Sequence, residues 1–329
     1  MSGFRDVVGH KEIVEHLQNA IKSDKVSHAY IFNGERGSGK KMLSTLFATT
    51  LQCEKQSDEP CLECASCKRD LNKNHPDIIN VVHEKPNTIS IDEIRTQVTN
   101  DVDIKPYYGP YKIYIINDAQ MMTLQAQNAL LKTIEEPPAY AIIMLLTTNA
   151  NALLPTITSR CVALMLKPTS DEQVKNYLMD KLQIPDYQAD IDASIAQGNI
   201  GKAKDIATSD SHDELLQNAL YILRRGRDME LHDIVETIRG LTRDKETIYD
   251  YLDLFLVWFR DILSFKATRE VDGLVFKNEL NAIKERAKES SYEGIEEIIE
   301  AIERAKIRLR MNVNFDLVME LLFLTIREN

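Results

Sequence analysis

Two hydrophobic rhythms divide the chain. Up to about residue 167, apolar runs of strand length, "HAYIFNG", "DIINVV", "YKIYIIND" and "YAIIMLLTTN", alternate with helical stretches such as "KKMLSTLFATTLQ" and "TLQAQNALLKTIEE". This alternation predicts an α/β domain with a mostly parallel central sheet. Farther on the rhythm is helical. Ile295, Ile298, Ile302, Ala305 and Leu309 recur at three- and four-residue spacing, and "NFDLVMELLFLTI" follows a candidate N-cap at Asn314. The apolar stripe "LDLFLVWFRDIL", which carries the only tryptophan, Trp258, predicts bundle core. Proline usage agrees, because all ten prolines lie at or before Pro185 and the rest of the chain lacks the residue that breaks helices. Two capping boxes, Ser170 with Gln173 and Ser211 with Glu214, mark helix starts between the regions. The expected division is an α/β domain over 1–167, a small helical segment over 168–208 and an all-α region over 209–329.

The α/β region contains "GERGSGKK", residues 34–41, with the spacing of a phosphate-binding loop between a strand and a helix. Gly34, Gly37 and Gly39 would let backbone N–H groups and the helix N-terminus face phosphate, and Lys40 would reach the outer phosphates. The hydroxyl that normally follows to hold magnesium is replaced by Lys41. A second departure lies at the end of "YKIYIIND", where carboxylates that position magnesium and activate water are expected. The sequence offers neutral Asn117 and then Asp118, one methylene shorter than a glutamate. Together the changes predict slow or absent hydrolysis and leave ATP binding open. The competing reading is a loop kept only as a helix start. Thr148 and Asn149 end a core strand as polar residues, candidates for a sensor position that solvation of a strand end would equally explain.

Composition sets outer limits. The 329 residues, 43% hydrophobic and 28% charged, fit a soluble protein of two or three domains. No apolar run approaches the roughly 20 residues that cross a bilayer, and the N-terminus lacks a signal-peptide core, so a cytoplasmic location is expected. A net charge of −11 argues against a broad nucleic-acid-binding face but permits a local one. Four of the five cysteines, Cys53, Cys61, Cys64 and Cys67, form C-x7-C-x2-C-x2-C, whereas Cys161 stands apart. That spacing favours a zinc site over disulfides, with an iron–sulfur cluster or unliganded thiols as alternatives.

"FRDVVGH", "SHAYIFNGERGSGK", "HPDI", "YKIYIINDAQMMTLQAQNALLKTIEEPP" and "LLPTITSRC" follow one another in the order seen in one family. The chain resembles the delta prime clamp-loader subunits of bacterial DNA polymerase III. The resemblance implies a RecA-like AAA+ domain with a parallel sheet, a helical lid and an all-α collar that joins subunits into a ring. It implies tau/gamma and delta subunits as partners, with the sliding clamp and primer-template DNA reached through the assembly and no membrane involved. It also implies a non-hydrolysing role within the holoenzyme, whose alternative is an active tau/gamma-like motor. Active members carry a lid arginine in "G-x-x-R-x-A", where "GNIGKA" here has Gly201, with Lys202 adjacent. Arg160, in "TSRC" after a short helix opened by Pro155, is expected from the resemblance to point at the nucleotide of the neighbouring subunit.

Overall fold

A computed structural model describes residues 3–85, 87–209, 212–243, 247–271 and 273–329. By its internal contacts the chain divides into two compact units, residues 1–174 with 198–202, and residues 175–197 with 203–329. The segment expected as a lid, 168–208, is thus shared between them.

The first unit is built on a five-stranded sheet of β1 (Ala29–Asn33), β2 (Ile78–Val81), β3 (Lys112–Ile116), β4 (Ala141–Thr147) and β5 (Val162–Met165). The order is β2-β3-β4-β1-β5 and every pairing is parallel. β3 and β4 are buried along their whole length, as continuous apolar runs require when helices cover both faces of a sheet. The period of two sorts their side chains. Ile31, Tyr114, Ile116, Ile143 and Leu145 enter one core, with Ala126, Leu130 and Ile134 of the Leu124–Glu135 helix. Tyr30, Phe32, Ile113, Ile115, Met144 and Leu146 enter the other, with Leu17 of the Lys11–Lys22 helix and Leu43 and Phe47 of the Lys40–Leu51 helix. The fifth strand is absent from the apolar pattern, because on this edge only Leu164 is buried.

The second unit is helical. Its spine is Ile248–Thr268, 21 residues long and apolar nearly all round, which a helix can be only when others enclose it. Leu280–Glu289, Tyr292–Arg310 and His212–Arg225 pack against it. The expected stripe is inside, with Ile295, Ile298, Ile302 and Ala305 buried, and so is Trp258 beside Phe276. Asn314 caps the last helix by accepting from Leu317 N–H at 3.0 Å. The Ser170–Gln173 capping box forms, whereas Ser211 of the other expected box lies outside the described residues. Buried ionisable side chains sit in this core, Asp261, Asp253 and Lys306 among them. Asp261 accepts the N–H groups of Val275 and Phe276 at 2.9 and 2.8 Å. Lys306 pairs with Asp253 at 2.7 Å, their side chains 9% and 12% exposed, with the better-exposed Glu303 at 3.6 Å.

That pair gives a stability test. Asp253→Leu removes the closer carboxylate facing the Lys306 ammonium and is expected to cost about 3–5 kcal/mol. Adding Lys306→Met should restore most of the loss, read as the denaturant midpoint. Equal losses in the single and double variants would locate the cost elsewhere.

Candidate functional site

β1 ends at the loop of residues 34–39, and the Lys40–Leu51 helix begins directly after it. Gly37 and Gly39 have φ of +86° and +95°, values that favour glycine and turn the chain sharply into the helix. The loop's carbonyls are all engaged. The Lys40 ammonium folds back to donate to Gly34 and Glu35 oxygens at 2.7 and 2.6 Å. Asn199 Nδ2 donates to Arg36 oxygen at 2.7 Å, and Gly201 N–H to Gly37 oxygen at 3.0 Å. His10 Nε2 lies 3.0 Å from Ser38 oxygen and, facing an acceptor, carries the proton. Burial lowers the pKa of Lys40, partly offset by Asp118 and Glu35, and burial also lowers that of His10.

Residues 198–202, in the same unit as the loop, therefore clamp its tip. Asn199 itself is steadied by accepting Lys202 N–H at 3.0 Å. A Cβ on Gly201 would lie 2.5 Å from Gly37 oxygen and 2.6 Å from its Cα, so any side chain there would push into backbone. In the sequence Gly201 reads only as a missing arginine. The close approach leaves no periodic trace, and Asn199 was missed for the same reason.

Lys41 is exposed in the first turn of the helix, offering an ammonium where a hydroxyl is needed. At the end of β3, Asn117 is half-buried and Asp118 is exposed with φ +49°. Gln120 bridges the strand ends. Its Nε2 donates to Asp118 Oδ1 at 3.2 Å, and its Oε1 accepts Thr147 Oγ1 at 2.9 Å and Thr148 N–H at 3.2 Å. Thr148 and Asn149 are exposed, and the buried hydroxyl in this network belongs to Thr147. Gln120 stood in plain sight in "NDAQ", but its partner 27 residues away did not.

Arg160 follows the short helix Pro155–Thr158, with Pro155 at its first position as expected. Gln127, buried in the Leu124–Glu135 helix, fixes this segment by donating to Met122 and Ala152 oxygens and accepting Leu154 N–H at 2.8 Å. The Arg160 guanidinium donates to Thr156 oxygen at 3.0 Å and pairs with Glu135 at 3.1 Å, both side chains over 40% exposed. A pair so exposed is worth about 0–1 kcal/mol and is easily exchanged for another anion. Cys161 beside it is isolated from the other thiols, and burial pushes its pKa up to about 12.

Cys53, Cys61, Cys64 and Cys67 converge, with all four sulfurs within 4.8 Å of one another. Cys64 caps the Ala65–Leu71 helix, which carries Cys67 one turn on. N–H groups point at the sulfurs: Cys61 to Cys53 at 3.4 Å, Cys64 to Cys61 at 3.3 Å and Cys67 to Cys64 at 3.4 Å. The N–H groups of Glu63 and Cys64 bring Cys61 down to about 6, while burial raises Cys53 and Cys67. Four clustered sulfurs with preset N–H donors could hold one metal ion. The same excursion grips the N-terminus. Glu59 accepts Phe4 N–H at 2.8 Å and Gln18 Nε2 at 3.3 Å, and Asp58 pairs with Lys22 at 2.9 Å.

A parallel sheet of this strand order, with a phosphate loop after β1 and a polar element after β3, defines a protein of the AAA+ class with an all-α C-terminal region. A family model described as "DNA polymerase III, delta subunit" matches residues 9–170, and one described as its C-terminal part matches residues 227–328. The chain is 30% identical to DNA polymerase III subunit delta' of Bacillus subtilis, covering 96% of this chain and 95% of that one. It is 33% identical to subunit tau of the same organism over 92% of this chain, but spans only 57% of tau. Among solved structures, a DNA polymerase III gamma subunit-related protein from Thermotoga maritima is 21% identical with a TM-score of 0.46, covering 96% of this chain and 98% of that one. The chain belongs to the delta prime family of bacterial DNA polymerase III subunits, within the clamp-loader branch of the AAA+ class.

The clamp on the loop predicts the outcome of restoring an arginine. Gly201→Arg forces a Cβ into Gly37 backbone and is expected to destabilise the first unit by about 1–3 kcal/mol, at about 2–4 °C of melting temperature per kcal/mol. Gly240→Ala, where a Cβ meets nothing within 4 Å, should leave stability unchanged or raised. A Gly201→Arg protein that melts with the parent would show that the approach is not tight.

Proposed function

We propose that this chain is a non-hydrolysing subunit of the DNA polymerase III clamp loader. It assembles with tau/gamma-type and delta-type subunits, helps load the sliding clamp onto primer-template DNA, and offers Arg160 to the nucleotide of a neighbouring subunit. The reading uses a division into an AAA+ domain over 1–167, a lid over 168–208 and a collar over 209–329. The observation that carries it is the seating of Gly201 on Gly37, which leaves no room for a lid arginine.

The donor set around the loop points the same way. Magnesium needs oxygen ligands from the loop helix and the end of β3, and Lys41 and Asn117 supply neither hydroxyl nor carboxylate. These residues do not fit a magnesium-nucleotide site, even though Gly34, Gly37, Gly39 and Lys40 keep the outline of the cradle. Arg160 is held differently. Its bond to Thr156 and its loose pair with Glu135 hold a fork-shaped cation at the surface, ready for a planar or tetrahedral anion. When a neighbour holds ATP there, the guanidinium would stabilise charge developing on the transferred phosphoryl group.

The second reading, an active motor, is favoured by the 33% identity to Bacillus subtilis tau. One assay separates the two. The isolated chain is expected to hydrolyse ATP no faster than its Lys40→Ala variant. In the reconstituted complex, Arg160→Ala should lower DNA-stimulated hydrolysis by up to roughly 10³-fold while assembly persists, with little rescue by Arg160→Lys. Hydrolysis by the isolated chain that Lys40→Ala abolishes would instead establish the motor.

Zinc is the metal we assign to Cys53, Cys61, Cys64 and Cys67, since sulfur-only tetrahedral sites with short spacings suit it. Held there, it would supply cross-linking in a segment with little apolar content of its own. The purified chain should contain about one zinc and be colourless. Chelation should raise hydrogen exchange at residues 4–7 as the Glu59 grip on Phe4 slackens. A brown protein with iron and labile sulfide would overturn the assignment.

A further inference from the structure

The first unit has a second surface whose construction the clamp-loading reading does not use. It lies before β3, at the N-terminal end of the parallel strands, whereas the phosphate loop follows the C-terminal end of β1. Here "DIKPYYGP", residues 103–110, exposes Tyr107 by 70% and Tyr108 by 62%.

Exposed tyrosines are common on floppy loops, but this loop is held tightly from below. Asp77, wholly buried, accepts the N–H groups of Tyr107 at 2.7 Å, Tyr108 at 2.8 Å and Gly109 at 3.4 Å. Gly109 presses so closely on Gln52 that a Cβ would lie 1.6 Å from its Oε1. The buried Lys112 ammonium bonds Asp101 and Ile104 oxygens at 2.8 and 3.1 Å and the Asp101 carboxylate at 2.7 Å. A buried carboxylate and a buried ammonium are costly to keep inside a protein. Both are spent on fixing a loop whose tip is two aromatic rings open to solvent.

The two segments that meet here carry more exposed cations than exposed acids. The Arg69 guanidinium stacks on the Tyr108 ring, 3.8 Å from its centroid, which brings the segment carrying Arg69, residues 68–74, to the loop at that residue. On these two segments Lys68, Lys73 and Lys105 are exposed and Arg69 is half-buried. Against them only Asp103 is an exposed acid, because Asp70 and Asp77 are buried and Asp101 pairs with Lys112. On a chain of net charge −11 this is a local reversal.

Exposed aromatic rings on a held loop, with Arg69 on one face of Tyr108 and exposed lysines on the two adjoining segments, match the chemistry of a nucleic-acid single strand. The rings take unpaired bases by their faces and the cations take phosphates. A duplex keeps its bases stacked inside and could use only the cations. We infer that Tyr107 and Tyr108, with Lys68, Arg69, Lys73 and Lys105, form a contact site for single-stranded DNA. The site lies at the opposite end of the strands from the phosphate loop. It would let the subunit hold an unpaired stretch of strand while the AAA+ elements engage other subunits.

The test is fluorescence anisotropy of a labelled oligothymidylate with the full chain at low salt, with thermal melts as the folding control. The parent should bind, and Tyr107→Ala and Tyr108→Ala should each weaken binding roughly five- to hundredfold, since a base stacked on a ring is worth about 1–3 kcal/mol. Tyr107→Phe and Tyr108→Phe should keep the affinity, since the ring face remains. Replacing Lys68, Lys73 and Lys105 with Ala should flatten the dependence of log affinity on log salt by about 0.7 for each phosphate no longer neutralised. No binding by the parent, or equal binding by parent and tyrosine-to-alanine variants of intact fold, would overturn the proposal. So would alanine variants that keep DNA affinity yet no longer join the reconstituted complex, which would make the surface a protein interface. ATPase results bear on the loader reading alone, so the two proposals fail separately.

Discussion

A backbone contact fixes the phosphate loop of the first unit. Gly201 N–H donates to Gly37 oxygen at 3.0 Å, in a space where neither residue has room for a Cβ. A phosphate loop presents N–H groups inward and must dispose of its carbonyls elsewhere. Here those carbonyls are divided among Lys40, Asn199, Gly201 and His10, so the loop keeps its shape from internal partners. The lysine that would otherwise meet phosphate is part of that closure. Reopening the loop means parting Lys40 from two carbonyls and displacing residues 198–202, and each hydrogen bond broken at a partly buried site costs about 1 kcal/mol or more.

The sheet makes this arrangement possible because it separates function by end. Alternating residues of β1, β3 and β4 bury themselves in two cores, leaving only the strand ends free for polar work. At the C-terminal ends lie the closed loop and the Gln120 bridge between β3 and β4. At the other end Asp77 and Lys112 organise the loop that leads into β3. "HPDI" also ties that end to the cysteine module, because Ser66 bonds His75 Nε2 at 3.0 Å and His75 Nδ1 accepts Asp77 N–H at 3.1 Å. One short polar motif therefore joins the four-cysteine excursion, the edge strand β2 and the tyrosine loop.

Much of this was legible in the sequence wherever one signal acted over a short range. Continuous apolar runs revealed β1, β3 and β4, the three- and four-residue stripe revealed the Tyr292–Arg310 helix, and cysteine spacing revealed a cluster that the fold brings within 4.8 Å. β5 was not legible, because a four-residue edge strand with one buried side chain has no contrast. Thr147 was passed over for Thr148, since at a strand end the pattern does not say which hydroxyl turns inward. The roles of Asn199, Gly201 and Gln127 depend on where distant backbone arrives. No periodicity encodes that, and a polar residue in a helix reads as solvated until its partners are in place.

The two cations of the candidate site are satisfied in different ways. Lys40 sits in a partly desolvated turn, where its charge must be met by fixed oxygens, and the loop's own carbonyls meet it. Arg160 stands at the surface, where water shares the load and Glu135 is an exchangeable partner. A half-buried cation bonded to two carbonyls must part from both before it can meet a phosphate. An exposed guanidinium gains more, because it trades a screened pair for a multiply charged anion in a drier interface. The same chain can thus close its own cradle and still keep a usable charge on its rim.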